Sequence, residues 1–434
     1  MTEAPTASRP ASPAGGAMAQ PRGARDLMPA ACAVRQRLVA QIGEVFTAWG
    51  YLPVTPPALE YYDVVARGLP AADRRRCVRF VDADAGELVT LRADATPQIA
   101  RMIGQRLGGE LAADGVFRFS YSTEIVRQPA TPREPAEVHQ VGVELVGDGH
   151  PACDAELLAL ADAALRAVGL DDARLDLAHA RLVEVALSTV GIERAASDVR
   201  ACLAIKDRDG TFAAARAAGA CPAHADTIAS LCDAYGGTDA VSDAAADLDA
   251  LGDEVRACLD RMRATLRQLD AVTPRRPAIT VDLGEVRGFD YYSGIRIRGW
   301  AAGVERPVLR GGRYDALMRH YDADLPASGF AIDLDALQSA LAARGRLPTA
   351  AASGPAHVVI VAGSADDEAR ARAASVAARV RAAGARAWIE VAPDLARAQG
   401  LASANAAAAL TFVDGAGTQE FRLDADGRWQ RVGT

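Results

Sequence analysis

Apolar residues recur along this chain in two periods, and the switches between them divide it into segments. From Ala31 to Trp49, Val34, Leu38, Ile42, Val45, Phe46 and Trp49 return at spacings of three and four, which predicts an amphipathic helix stopped by Gly50. Tyr51–Pro57 holds three prolines and is expected to be extended or loop, because each proline disfavours helix in the residue before it. Val78–Asp82 and Leu88–Leu91 flank the turn residues Asp84–Gly86 and read as a hairpin. Phe117–Tyr121 and Val138–Val146 read as further strands, with the proline-rich loop Gln128–Ala136 between them. Spacings this short predict antiparallel pairing.

Farther on, Leu157, Leu160, Ala161 and Leu165 share one face of a helix over Cys153–Val168. Residues 193–270 read as several helices with few strand signals, a helical insertion in the sheet domain. Strand pattern returns at Ala278–Leu283 and around Tyr291–Ile297. The predicted domains are a disordered tail over 1–20, a core over 21–344, a linker rich in Ala, Gly and Pro over 345–354, and a small α/β domain over 355–434. In the last, His357–Ala362, Ala387–Val391 and Ala406–Val413 are expected strands, Ala365–Ala383 a helix, and Phe421–Val432 a hairpin around Asp426 and Gly427.

Composition narrows the possibilities. The net charge of −8 argues against a broad nucleic-acid surface. Lys206 is the one lysine, so lysine chemistry is not expected elsewhere. Seven scattered cysteines without a CxxC, and histidines that form no cluster, predict reduced thiols, no metal site and a cytoplasmic setting. No apolar run reaches membrane-spanning length.

The most specific feature is Arg287–Gly294, in which a cation, an acid and two phenols lie within six residues. On a strand, Asp290 and Tyr292 would share one face while Phe289 and Tyr291 share the other. Gly311–Leu317 follows, its two glycines permitting close approach of backbone to a ligand or another strand. A structural strand with an Arg–Asp pair and buried tyrosines would satisfy the first motif alone.

Together, in order, Arg287–Gly294 and Gly311–Leu317 resemble the two histidine-recognition signatures of histidyl-tRNA synthetases. Trp49–Glu60 resembles motif 1 of class II synthetases, a dimer element, and Thr90–Arg101 the family's substrate-binding turn. His139–Glu144 resembles the second strand of motif 2, and Ser328–Leu337 motif 3. The likeness runs from about Arg22 to Ala340 and implies an α+β fold, an antiparallel sheet flanked by helices. It implies a histidine pocket: Asp94, Thr96, Gln140 and Glu144 for the amine, with Tyr291, Tyr292 and Tyr314 around the imidazole. Asp94 stands where synthetases commonly have glutamate. Arg127 matches an arginine that holds ligand carboxylate and phosphate, and Arg287 one that neutralises charge developing at the α-phosphate; a planar, permanently charged guanidinium suits both tasks.

The departures matter as much. Ala336 stands where the synthetase arginine clamps the far phosphates, Asp333 replaces a small residue, and Pro129 replaces a glutamate that reads adenine. Adenylation needs positive charge where phosphate charge builds, so these changes speak against it. A chain with the histidine pocket but not the ATP site resembles the regulatory subunits of ATP phosphoribosyltransferase, as do the runs Leu91–Arg101 and His139–Val146. That resemblance implies no catalytic residues and no cofactor. It implies a homodimer, a hetero-octamer with a short-form catalytic subunit, activation of that partner, and feedback by histidine. The alternatives are a working histidyl-tRNA synthetase and a synthetase-like sensor of tRNA and histidine. The C-terminal domain offers only Trp388, Phe412, Phe421 and Trp429 for base stacking, so tRNA contact is not expected.

Overall fold

A computed structural model describes residues 20–106, 115–131, 134–193, 196–287, 291–348, 356–405 and 407–432. The expectations for the tail over 1–19, for Phe289 and Asp290, and for the linker beyond 348 fall outside these residues. The chain divides into two units, Met1–Pro348 and Thr349–Thr434.

In the first unit the strands are β1 (Leu52–Pro53), β2 (Leu59–Tyr61), β3 (Arg79–Val81), β4 (Leu88–Leu91), β5 (Phe117–Val126), β6 (Glu137–Val146), β7 (Arg174–His179), β8 (Tyr235–Gly236), β9 (Ile279–Asp282), β10 (Ile295–Trp300), β11 (Leu309–Arg313) and β12 (Ala327–Asp333). Nine form one sheet in the order β1-β5-β6-β12-β11-β10-β7-β9-β8, and β2-β4-β3 form a small second sheet. The large sheet is mostly antiparallel, with parallel pairings only at β1–β5 and β7–β9.

Period-2 alternation gives that sheet one apolar face. Val141, Val143, Leu145, Phe330, Ile332, Leu309, Ile297 and Leu177 are buried in one core. Helices Pro29–Ala48, Pro151–Ala167, Asp253–Val272 and Leu334–Ala343 supply Leu38, Ile42, Phe46, Leu157, Leu160, Met262 and Leu337 to the same core. The predicted stripe of the first helix is the buried one: Val34, Leu38, Ile42 and Phe46. Removing such side chains from water is worth about 1.5–3 kcal/mol each.

The helical stretch after residue 193 is not a separate lobe. Val199, Leu203, Ile228 and Leu231 belong to the same core as Leu177 and Val281. It also lends β8 to the sheet edge, and Lys206 Nζ lies 2.6 Å from Asp282 Oδ1 on β9.

Two expectations need correction. The strand placed at Tyr291–Ile297 is β10, Ile295–Trp300, so Tyr291 and Tyr292 precede it in a turn. Strand alternation therefore does not govern the tyrosines. The motif's backbone is held to β11 instead, where Ser293 N donates to Arg313 O at 2.8 Å. The strand at Phe117–Tyr121 runs on to Val126, because β6 offers a partner for every residue.

The second unit is a five-stranded sheet of β13 (Ala356–Ala362), β14 (Arg386–Ala392), β15 (Ala409–Asp414), β16 (Gly417–Leu423) and β17 (Trp429–Arg431), in the order β14-β13-β15-β16-β17. Helix Asp367–Ala382 covers Val359, Val361 and Val413 on one face. Helix Leu395–Ala404, absent from the sequence reading, covers Val358, Ile360 and Leu410 on the other.

Candidate functional site

The polar face of the large sheet floors a cavity of about 730 Å³, within the range of ligand pockets. Strand register explains the floor. Gln140, Gly142 and Glu144 alternate on β6 and pair with Asp333, Ala331 and Gly329 on β12. Ala331 pairs in turn with Arg310 and Gly329 with Gly312 on β11, while Tyr121 on β5 pairs with Gly142. Small residues at the middle keep the floor low, and the polar side chains stand around them. A Cβ at Gly329 would collide with the Glu144 carboxylate and with the Val143 carbonyl.

The acid end is built by β6 and the start of helix Thr96–Arg106. Asp94 Oδ1 accepts from Thr96 N at 3.0 Å. Thr96 Oγ1 donates to Glu144 Oε1 at 2.7 Å, and the Tyr314 hydroxyl donates to Glu144 Oε2. Burial pushes Glu144 up to about 8, opposed by those two hydrogen bonds and assisted by Asp94. Burial also raises Asp94, opposed chiefly by Arg127. The aromatic wall follows: the rings of Tyr291 and Tyr292 lie 4.8 Å apart, and Tyr291 meets Tyr314 edge-on at 6.0 Å. Burial holds the hydroxyls of Tyr121, Tyr291 and Tyr314 in the neutral, donating form, each well above its ordinary pKa. An acidic end beside phenols suits a ligand with a cationic amine and a polar ring.

The rim is ionic. Arg306 Nη1 lies 2.7 Å from Asp333 Oδ2, and Asp335 is held by Arg25 and, at 2.7 Å, by Arg35. Asp333 also caps helix Leu334–Ala343, accepting from Asp335 N at 3.0 Å and Ala336 N at 2.9 Å. A strap of chain crosses the mouth: Ala136 N donates to Gly23 O at 3.0 Å and Arg22 Nη2 to Pro129 O at 3.0 Å.

Of the residues predicted for the site, Asp94, Thr96, Arg127, Gln140, Tyr291, Tyr292 and Tyr314 line the cavity, with Glu144 directly behind Thr96 and Tyr314. Arg287 is not brought there: its side chain is 61% exposed and pairs with Glu285 at 3.3 Å. Arg127 lines the wall already engaged, donating to Ala93 O at 2.6 Å and to Asp94 Oδ2 at 3.1 Å, with Asp73 at 3.5 Å. Ala336 is fully buried in the main core, outside the lining. Sequence reading missed Tyr121, Arg306 and Arg310. The only signal for Arg310 was its place directly before the glycine pair.

Among the described residues no group of His, Cys, Asp or Glu is arranged to hold a metal ion, and no helix is long and apolar enough to cross a membrane.

Comparison with known proteins agrees with this geometry. A family model described as "Histidyl-tRNA synthetase" matches residues 23–337. An ATP phosphoribosyltransferase regulatory subunit of Anaeromyxobacter dehalogenans strain 2CP-1 is 38% identical over 74% of this chain and 90% of that protein. A protein of the same name from Syntrophotalea carbinolica is 33% identical over 80% of each. A crystal structure from Bacillus halodurans C, described as an ATP phosphoribosyltransferase regulatory subunit/histidyl-tRNA synthetase, superposes with a TM-score of 0.75 at 24% identity, over 92% of this chain and 98% of that one. Histidyl-tRNA synthetase from Nostoc sp. PCC 7120 gives 0.72 at 19% identity, over 96% of this chain and 97% of that one. The fold is that of class II histidyl-tRNA synthetases. Within that fold, the chain belongs to the family of ATP phosphoribosyltransferase regulatory subunits.

Proposed function

We propose that this chain performs no chemistry itself, binds histidine in the cavity, and activates a short-form ATP phosphoribosyltransferase. That partner condenses ATP with phosphoribosyl pyrophosphate, the opening step of histidine biosynthesis, and histidine acts through this chain as feedback signal. The observation that carries the reading is the joining of Asp94, Thr96 and Glu144 to three tyrosines at one end of the cavity, in a chain whose relatives are named regulatory subunits. Carboxylates and a hydroxyl meet an amine, and phenols meet an imidazole.

The non-catalytic reading rests on charge. Asp333 and Asp335 stand at the rim where an ATP-activating site would need positive groups, and both are neutralised by neighbouring arginines. A homodimer within a cytoplasmic hetero-octamer completes the proposal. The dimer face suggested is the β1 edge of the large sheet, within the motif 1 segment, where Leu52 is 64% exposed.

The test mixes the purified chain with the short-form catalytic subunit and follows phosphoribosyl-ATP formation with and without histidine. Strong stimulation that histidine modulates is expected. Absence of both stimulation and complex would overturn the reading, and histidine-dependent pyrophosphate exchange with ATP would then identify a working synthetase.

A further inference from the structure

We propose that Arg310, not Arg127 or Arg287, receives the carboxylate of the amino acid in this cavity. The inference rests on the histidine-binding reading and deepens it.

Three arginines compete for the role. Arg287 points away, exposed and paired with Glu285. Arg127 is already engaged by Ala93 O, Asp94 and Asp73, two of them carboxylates that offset its charge. Arg310 lines the cavity and, among the described residues, makes no hydrogen bond or ion pair. Other arginines of the lining, Arg25, Arg76 and Arg306, each hold a carboxylate already. Its half-buried guanidinium is accessible from the cavity, so an incoming anion meets a cation whose donors are not already engaged among the described residues.

Its surroundings sharpen the case. Arg298 pairs with Arg310 across the strands, and Arg306 stands nearby. Burial lowers the Arg310 pKa from its ordinary value, Asp333 opposes this, and Arg298 and Arg306 add to it. Arg298 is held by Glu285 and Arg306 by Asp333, which leaves the Arg310 charge facing the cavity.

The distance suits one small zwitterion. Arg310 faces Ala331, which faces Gly142, and Glu144 lies two residues beyond Gly142 on the same face. Two strand spacings of about 4.8 Å and two residues of about 3.4 Å put the Arg310 and Glu144 Cα atoms about 12 Å apart. Their side chains reach over a floor of Gly142, Gly329 and Ala331, leaving a gap that an amino acid spans. The amine lies at the acid end with Asp94 and Glu144, and the carboxylate at the arginine end. A bidentate guanidinium–carboxylate pair fixes the ligand's direction.

The test is titration calorimetry on the full chain with L-histidine and with L-histidinol, in which a hydroxymethyl group replaces the carboxylate. Arg310→Ala and Arg310→Gln are expected to weaken histidine binding about ten- to a hundredfold while leaving histidinol within about twofold. Arg310→Lys, a point charge without the fork, should recover part of the difference; it also decides the matter if the smaller variants fold poorly. Unchanged histidine affinity in all three, or equal losses for both ligands, would overturn the assignment and leave the pocket standing. A native chain that binds neither ligand would overturn the pocket reading, and this assignment with it.

Discussion

Glu144 is buried, neighbours another carboxylate and receives two hydroxyl hydrogen bonds, so its ionisation couples to whatever enters the cavity. The unfolded chain releases this proton near 4.5, and the folded chain holds it to about 8. The folded state thus binds more protons across that window. Its stabilising contribution is fully present below 4.5 and lost as pH rises through about 8. Each tenfold change in proton affinity is worth about 1.4 kcal/mol. Glu144→Gln, neutral and isosteric, should flatten the fall in stability between about 4.5 and 8, measured by urea unfolding on either side of that window. A native and a variant chain with parallel pH profiles would show that Glu144 does not titrate there. The same group should lose its proton when a cationic amine binds. Calorimetry in buffers of different ionisation enthalpy reads that release directly.

At the scale of elements, the site depends on how closely β6, β12 and β11 approach and on how one helix starts. Gly329 faces Glu144 across β6 and β12 with no room for a methyl group. Gly329→Ala is expected to cost about 1–3 kcal/mol by overpacking and to weaken ligand binding, read from thermal melting and titration. Asp333→Ala removes a helix cap worth about 0.5–2 kcal/mol and strips Arg306 of its partner. Asp333→Asn keeps the cap, so a smaller loss of stability in that variant would separate capping from charge. These elements differ in how far the sequence announced them. The helix Pro29–Ala48 was legible because its stripe repeats every four residues from Val34 to Phe46. The six residues of β7 carry two leucines, and helix Leu395–Ala404 is built of small residues, so neither pattern rises above its surroundings. Tyr291 and Tyr292 were legible as candidate pocket residues but not as a turn, since their position comes from the hold of Arg313 on Ser293. Arg310 gave no sign in the sequence of lining the cavity, and only the three-dimensional pairing of Arg127 and Arg287 elsewhere singles it out as a candidate.

For the whole molecule, the question is which part of the chain the cavity needs. Every lining residue, from Gly23 to Ser339, belongs to the unit Met1–Pro348. That unit encloses its own core, centred on the large sheet and its helices. Thr349–Thr434 has separate cores on the two faces of its own sheet, around Val358 and Ile360 on one side and Val359 and Val361 on the other. Since burial of apolar area is the dominant favourable term, each unit holds what it needs to fold. A chain ending at Pro348 should therefore fold cooperatively and bind histidine with an affinity within about twofold of the full chain. Any loss of partner activation in that shortened chain would then belong to the second unit's contacts and not to the pocket. Cooperative unfolding without histidine binding, seen by calorimetry on the shortened chain, would show that the site draws on residues beyond Pro348.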